Sequence, residues 1–209
     1  EFSISSHQKA FEAQSKGNFN NEITVIGSCS KDDNIRPNTN QEILDGLKLA
    51  FDQNGTVTAA TSSPLTDGAA ATLICEEQFA KDNSLEILAR IVSTGVQGCA
   101  PDLMGLGPIG ASIKVLERAK LSIQDIDIVE LNEAFASQSL ACIKDLEIDQ
   151  KKVNLDGGAL ALGHPLGATG ARITGKAANL LRRENKKYAL ATQCIGLGMG
   201  IATVIESVN

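Results

Sequence analysis

The chain has 209 residues, of which 43% are hydrophobic and 21% charged, a composition typical of a globular protein with a sizeable buried core. Its net charge of −6 disfavours a broad surface for nucleic acids or anionic membranes, and its 3% of aromatic residues disfavours a platform for stacked bases. No apolar run approaches the roughly 20 residues that span a bilayer. We therefore expect no nucleic-acid partner and no membrane span.

The cysteines point to a reducing compartment. There are five of them, widely spaced and without a CxxC pair, which argues against a disulfide framework or a zinc cage. We expect a cytoplasmic location and no metal site. The cysteines are Cys29, Cys75, Cys99, Cys142 and Cys194. The chain begins with Glu1 instead of Met, inside a predicted polar helix, and we expect it to be truncated there.

The first 80 residues carry short, mixed patterns that end at a polar linker, residues 82–84. Apolar spacing and glycine punctuation predict helices at 7–17 and 41–51, strands at 22–26 and 55–60, and a polar loop at 28–40. Residues 69–76 fit a buried strand or a helix equally well. This part of the chain is expected to be one incomplete domain.

The pattern becomes regular from about residue 85. Predicted strands lie at 86–94, 126–131, 153–155, 188–194 and 201–206, and predicted helices at 109–119, 134–146 and 168–183. Strands that alternate with helices indicate a layered α/β domain. The last two strands are joined by the short glycine loop 196–200, so we expect them to pair antiparallel.

His164 stands between Gly163 and Pro165, just before a predicted helix. An imidazole there can hydrogen-bond a carbonyl oxygen or take a proton near neutral pH. The helix start beside it favours a developing negative charge. The alternative is a histidine that only holds a loop in place, and the pattern by itself leaves both interpretations open.

Cys194 ends a predicted strand and is followed by a glycine-rich loop. Buried cysteines usually act as small hydrophobic residues, which is our interpretation of the other four. At the junction of a strand and exposed backbone amides, a thiol can act as a nucleophile or as an acid and base on carbon. Its position in the sequence does not separate the two roles.

Asn132 and Ser63 are polar residues with both a local and a functional interpretation. Asn132 follows a predicted strand and is a good N-cap for the next helix, but its amide can also hold a water or a substrate oxygen. Ser63 precedes Pro64 and fits a turn.

Together these segments resemble the thiolase family, the acyl-CoA:acetyl-CoA C-acyltransferases. The matching stretches lie in the family's order along nearly the whole chain. They are SHQKA (6–10), GTVTAATSSPLTDGAAA (55–71), MGLGPIGA (104–111), VELNEAFA (129–136), NLDGGALALGHPLGATGAR (154–172) and CIGLGMG (194–200). The resemblance implies a layered α/β fold with a mixed five-stranded sheet covered by helices. The complete domain would span 81–209, after the tail of a first domain at 1–80.

The resemblance also implies a role for particular residues. Cys194 matches the residue that protonates the leaving acetyl-CoA carbanion in thiolysis, and His164 matches the one that activates a separate nucleophilic cysteine and binds the thioester oxygen. Asn132 would hold a water that completes this oxyanion site, and Gly196 would donate a backbone N–H to a second one. Two further residues, Ser63 and Arg36, match contacts to coenzyme A. CoA thioesters would be substrates, with no permanently bound cofactor.

The nucleophilic cysteine of the family has no counterpart here, because neither Cys29 nor Cys75 matches its motif. The resemblance therefore implies a missing amino-terminal half as partner. It also implies a homo-oligomer and, as a further partner, a hydratase/dehydrogenase subunit of fatty-acid β-oxidation. The chain alone is expected to be inactive.

Two alternatives stay open at this point. The chain can be a non-catalytic fragment or split subunit that acts in assembly, or part of a biosynthetic or aromatic-degradation thiolase. A ketosynthase is disfavoured, because Cys194 stands where that family is expected to have a second histidine.

Overall fold

Helices and strands alternate after residue 89 in the computed structural model, which describes residues 1–208. In chain order the elements are α1 (Phe2–Ser15), α2 (Gln41–Asp45), α3 (Glu77–Asp82), β1 (Arg90–Gly98), α4 (Gly107–Ala119), β2 (Ile128–Leu131), α5 (Ala136–Asp145), α6 (Ala159–Leu162), α7 (Thr169–Arg183), β3 (Tyr188–Ile195) and β4 (Met199–Glu206). None of the helices within 1–208 has the length and apolar character to cross a membrane.

The strands form one mixed sheet in the order β1-β4-β3-β2. β2 and β3 run parallel, whereas β4 pairs antiparallel with β3 on one side and β1 on the other. Side chains alternate between the two faces, so α4 and α5 pack on one face and α7 packs on the other. The mixed sheet covered by helices and the antiparallel pairing of the last two strands are thereby confirmed.

The sheet has four strands within the described residues, and the expected fifth strand at 153–155 is reduced to one bridge between Val153 and Val129. Asn154 ends the pairing because its φ is +46°, which turns the chain away. Its side chain then makes the hydrogen bonds that a neighbouring strand would make: Oδ1 accepts from Leu131 N and Nδ2 donates to Leu131 O, both at 2.9 Å.

The first strand of the sheet lies four residues later than the sequence predicts, at Arg90–Gly98 instead of 86–94. Its position follows from its partner, because Arg90 pairs with Glu206 and Gly98 with Met199 along the full length of β4. The prediction starts at residue 86 because Ile87 and Leu88 are apolar, but both residues precede the part of β1 that pairs with β4.

Most elements predicted for the first 80 residues are shorter or absent, and that part of the prediction is wrong. The strand at 22–26 is only a bridge from Ile26 to Cys29, the helix at 41–51 ends at Asp45, and a bridge at Thr58 replaces the strand at 55–60. Residues 69–76 are exposed and belong to no helix or strand. A strand needs a neighbour to satisfy its backbone groups, and none lies beside these segments in the described part of the chain.

The amino-terminal segment is nevertheless anchored on the sheet domain. Helix α1 packs against α6, with Ala10 and Ala13 buried there. A buried ion network adds to this contact: Lys176 Nζ lies 2.9 Å from Glu22 Oε1 and 2.7 Å from Asp156 Oδ2. Lys176 lies buried on α7, and its charge needs a negative partner close by. The ion pair therefore holds Glu22 against α7.

Candidate active site

Two of the predicted residues lie at the carboxyl ends of the two parallel strands. β2 and β3 lie in register with Leu131 opposite Thr192, and the Asn132 N–H donates to Thr192 O at 3.0 Å. Cys194 follows two residues later on β3. Open α/β sheets usually bind ligands at the carboxyl ends of their strands, so this edge is the candidate active site.

His164 reaches the site from the loop between α6 and α7. The loop begins with Gly163, whose φ of +96° suits glycine and whose added Cβ would lie 2.6 Å from Thr66 Cγ2. The His164 N–H then donates to Thr66 Oγ1 at 3.2 Å. This close approach fixes the loop on the segment that carries Ser63.

The His164 ring is held at both of its nitrogens. Nε2 lies 3.3 Å from Asn132 Nδ2, and Nδ1 lies 2.7 Å from Thr169 Oγ1. Burial lowers the pKa of His164 below its usual 6.5, and the positive charge of Arg172 lowers it further. At neutral pH the ring is therefore neutral and has a nitrogen available to accept a proton.

The thiol of Cys194 is buried, with 8% of the residue exposed. Burial raises the pKa of Cys194 above its usual 9.0, so the group is a protonated thiol at neutral pH and suits a proton donor better than a resting nucleophile. Nearby, burial raises the pKa of Cys142 to about 11. Cys142 lies in the core between the helices and the sheet, which fits its interpretation as a packing residue.

The loop after Cys194 presents backbone instead of side chains. Gly196 is exposed, and a Cβ added there would meet nothing within 4 Å. Gly198, by contrast, has a φ of +92° and an added Cβ would lie 2.5 Å from Cys99 O. The turn is thus fixed at Gly198 and open at Gly196, where a ligand can approach the backbone.

Asn132 has an unpartnered oxygen. The residue is fully buried, and its Oδ1 accepts no hydrogen bond from the described residues. A buried carbonyl oxygen without a donor is costly, which suggests a site for a water or a ligand donor. The N-cap role is not observed: α5 begins at Ala136, and its N-cap is Phe135.

Glu133 is a buried carboxylate that the sequence analysis missed, and it connects the elements around His164. Glu133 accepts hydrogen bonds from Ser6 Oγ at 2.6 Å, Asn154 Nδ2 at 2.7 Å and Leu160 N at 3.1 Å. Ser6 Oγ also accepts from Gly158 N at 3.0 Å. Glu133 therefore joins α1 to α6, the element that leads to His164.

The two remaining predicted residues lie in different surroundings. Ser63 lies beside the Asn132 loop, because its N–H donates to Ala134 O at 3.0 Å. Arg36 is exposed, and its N–H donates to His7 Nδ1 at 3.2 Å. Asn132 thus contacts His164, and Cys194 lies at the end of the neighbouring strand. Ser63 lies beside the Asn132 loop, whereas Arg36 lies on an outer loop. Within residues 1–208, no group of three or more His, Cys, Asp and Glu side chains is arranged to hold a metal ion.

Comparison with known proteins identifies two family models along the chain. Residues 1–78 match the model described as Thiolase, N-terminal domain, and residues 85–207 match Thiolase, C-terminal domain. The 3-ketoacyl-CoA thiolase of Vibrio parahaemolyticus is 51% identical over 99% of this chain and 56% of its own length. That of Shewanella loihica is 52% identical over 99% of this chain and 57% of its own length.

Solved structures show the same relationship. The Bacillus anthracis acetyl-CoA acetyltransferase has a TM-score of 0.95 at 41% identity and covers 99% of this chain and 55% of its own. Human mitochondrial 3-ketoacyl-CoA thiolase in complex with CoA has a TM-score of 0.93 at 41% identity, covering 99% and 53%. The chain spans somewhat more than half the length of the relatives it matches.

Proposed function

The chain belongs to the thiolase family, and from this membership we propose that it supplies the proton-transfer half of an acyltransferase that cleaves 3-ketoacyl-CoA with coenzyme A. The observation that carries the proposal is the position of Asn132, His164 and Cys194 around one sheet edge, with the thiol protonated and the imidazole neutral. The domain boundary near residue 80 and the role of each residue remain predictions of this proposal.

In the proposed thiolysis, the thiol of Cys194 delivers the proton to carbon. A nucleophilic cysteine from the part of the thiolase fold that this chain does not cover attacks the ketone, and the bond between C2 and C3 breaks. The electron pair remains on C2 as the enolate of acetyl-CoA, which takes the proton of Cys194 and leaves. The incoming CoA thiol returns a proton to Cys194 and attacks the acyl-enzyme.

His164 and Asn132 serve the other reacting centre. The neutral ring of His164 takes the proton of the nucleophilic thiol and then donates that N–H to the thioester oxygen. The unpartnered Oδ1 of Asn132 accepts from a water that completes this oxyanion site. Gly196, open on its loop, donates its N–H to the second oxyanion. Each such donor contributes about 3 kcal/mol to the transition state.

We assign Ser63 and Arg36 to coenzyme A, which acts as a substrate and not as a resident cofactor. The position of Ser63 beside the Asn132 loop supports the first contact. An exposed guanidinium such as Arg36 suits the phosphates at the nucleotide end. Fatty-acid β-oxidation, a homo-oligomer and a hydratase/dehydrogenase partner complete the proposal by analogy with the family. The cytoplasmic location is proposed from the five widely spaced cysteines.

A non-catalytic assembly role is the second candidate, and exposed apolar side chains favour it. Leu65, Leu73 and Ile74 are 104%, 74% and 69% exposed. Leu73 and Ile74 line a crevice of about 950 Å³ against α7, and the next residue after Leu65, Thr66, lines it as well. Apolar surface on this scale usually marks an interface, here with the rest of the thiolase fold.

An active-site complementation assay separates the two candidates. The chain is joined to the part of the Vibrio parahaemolyticus thiolase that it does not match, and cleavage of acetoacetyl-CoA by CoA is followed by loss of enolate absorbance. We expect turnover by the chimera, none by the chain alone, and none when Cys194 is replaced by alanine. A folded chimera without turnover supports the assembly role. A longer 3-ketoacyl-CoA, run in parallel, tests for the degradative type.

A further inference from the structure

Thr169 places a buried hydroxyl between two groups at the start of α7. The residue is fully buried. Its Oγ1 lies 2.7 Å from His164 Nδ1 and donates to Pro165 O at 3.3 Å. This hydroxyl is a closer polar contact of the His164 ring than Asn132 Nδ2, which lies 3.3 Å away.

The proton count at this hydroxyl decides the tautomer of the ring. We place the one proton of the threonine hydroxyl on the side of Pro165 O, an acceptor 3.3 Å from Oγ1. Its lone pairs then face Nδ1, which must itself carry a proton to form the 2.7 Å hydrogen bond. In a neutral imidazole, Nε2 is then unprotonated.

The other side of the ring agrees with this assignment. Asn132 Nδ2 is a donor and lies 3.3 Å from Nε2, which therefore accepts. The opposite tautomer would set Nε2–H against the N–H of Asn132 and leave Nδ1 to compete with Pro165 O for the Thr169 proton. Both contacts of the ring select the same nitrogen as the free base.

We infer that Thr169 is a positioning residue that holds neutral His164 as the Nδ1–H tautomer and so makes Nε2 the base. The chemical use of Nε2 rests on the proposed function, whereas the tautomer itself does not. When Nε2 takes the proton of the nucleophilic thiol, Nδ1–H stays hydrogen-bonded to Thr169, so the charged ring keeps its orientation and its Nε2–H is available to the thioester oxygen.

The composition of the chain makes this inference measurable. His164 and His7 are its two histidines. His7 Nδ1 accepts from Arg36 N at 3.2 Å, so neutral His7 must be the opposite, Nε2–H tautomer. One spectrum of the chain with 15N-labelled histidine therefore contains both tautomers, and a His7→Gln variant assigns them.

The experiment compares the wild type with Thr169→Ser and Thr169→Val, at a pH where both rings are neutral. We expect protonated-type Nδ1 and unprotonated-type Nε2 shifts for His164 in the wild type and in Thr169→Ser. In Thr169→Val, the hydroxyl is lost at similar size, and the His164 signals should move toward the Nε2–H pattern. Unchanged His7 signals show that this variant is folded.

Two results overturn the inference: an Nε2–H tautomer of His164 in the wild type, or an unchanged Nδ1–H tautomer in folded Thr169→Val. Should the valine variant not fold, the wild-type spectrum alone decides. In the chimera, Thr169→Val should lower kcat about 100-fold and Thr169→Ser should restore it. An Nδ1–H tautomer in a chimera without thiolase activity would reject the proposed function and leave the inference standing.

Discussion

Replacement of Gly158 by alanine tests how much the buried Glu133 network contributes to the stability of the fold. A Cβ added at Gly158 would lie 2.5 Å from Glu133 Oε2 and closer still to the other carboxyl atoms. The backbone itself accepts alanine, because Gly158 has a φ of −130° and a ψ of −159°. The cost therefore comes from displacing the carboxylate.

The magnitude follows from the hydrogen bonds that Glu133 accepts. Ser6, Asn154 and Leu160 donate three of them to a fully buried group. Burial raises the pKa of Glu133, and a buried donor or acceptor left without its partner costs about 1–3 kcal/mol whatever the charge of the carboxyl group. A displaced carboxyl group cannot keep all three hydrogen bonds. Loss of two of them lowers the free energy of unfolding by about 4 kcal/mol, which is a large part of the stability of a typical domain.

The assay is urea unfolding of the chain followed by circular dichroism, with Gly167→Ala as the matched control. A Cβ at Gly167 meets nothing within 4 Å, so that variant should change the free energy of unfolding by less than about 1 kcal/mol. A Glu133→Ala background removes the collision, and Gly158→Ala should then cost little. A loss below about 1 kcal/mol in the wild-type background, or an equal loss in both backgrounds, would refute the reasoning.

Further predictions concern Glu130, His164 and Ser63. Burial raises the pKa of Glu130 from 4.5 to about 8, so the folded chain holds a proton that the unfolded chain releases, and stability falls as pH rises from 4.5 toward 8. At pH 7 the loss of unfolding free energy is about 3 kcal/mol. The difference in unfolding free energy between Glu130→Gln and the wild type, measured in urea, should therefore grow between pH 5 and 8. A difference that stays constant would contradict the prediction. In the chimera, His164→Ala should impair acylation of the nucleophilic cysteine, measured by intact mass after acetyl-CoA is added; undiminished acylation speaks against the assignment. Ser63→Ala should raise KM for CoA about fivefold at unchanged kcat, and an unchanged KM would remove Ser63 from the CoA site.

The sequence predicts the second part of the fold better than the first. Helices α4, α5 and α7 and strands β2, β3 and β4 lie within a few residues of their predicted positions, because their apolar periodicity reports packing on an adjacent layer. The strands predicted at 22–26 and 55–60 do not form, since an apolar pattern does not supply the neighbouring strand. β1 is displaced by four residues because its register depends on β4.

The candidate site likewise contains residues that the sequence predicts and residues that it does not. His164 and Cys194 are recognisable from the sequence because each stands beside glycine turns, and Asn132 because it directly follows an apolar strand. Glu133 and Thr169 are not, because their roles depend on contacts: Ser6 is 127 positions from Glu133 along the chain. The glycine pair 157–158 lies near this contact, and an added Cβ at Gly158 would lie 2.5 Å from Glu133 Oε2.

The central claim is that Cys194 transfers the proton at carbon, and exchange of the acetyl-CoA methyl hydrogens with solvent deuterium tests it most directly. The chimera is incubated with acetyl-CoA in heavy water, and deuterium in the methyl group is measured by mass spectrometry. We predict exchange by the wild type and by Cys142→Ala, a second buried thiol in the core, and none by Cys194→Ala. Exchange that continues at the wild-type rate in Cys194→Ala would contradict the account.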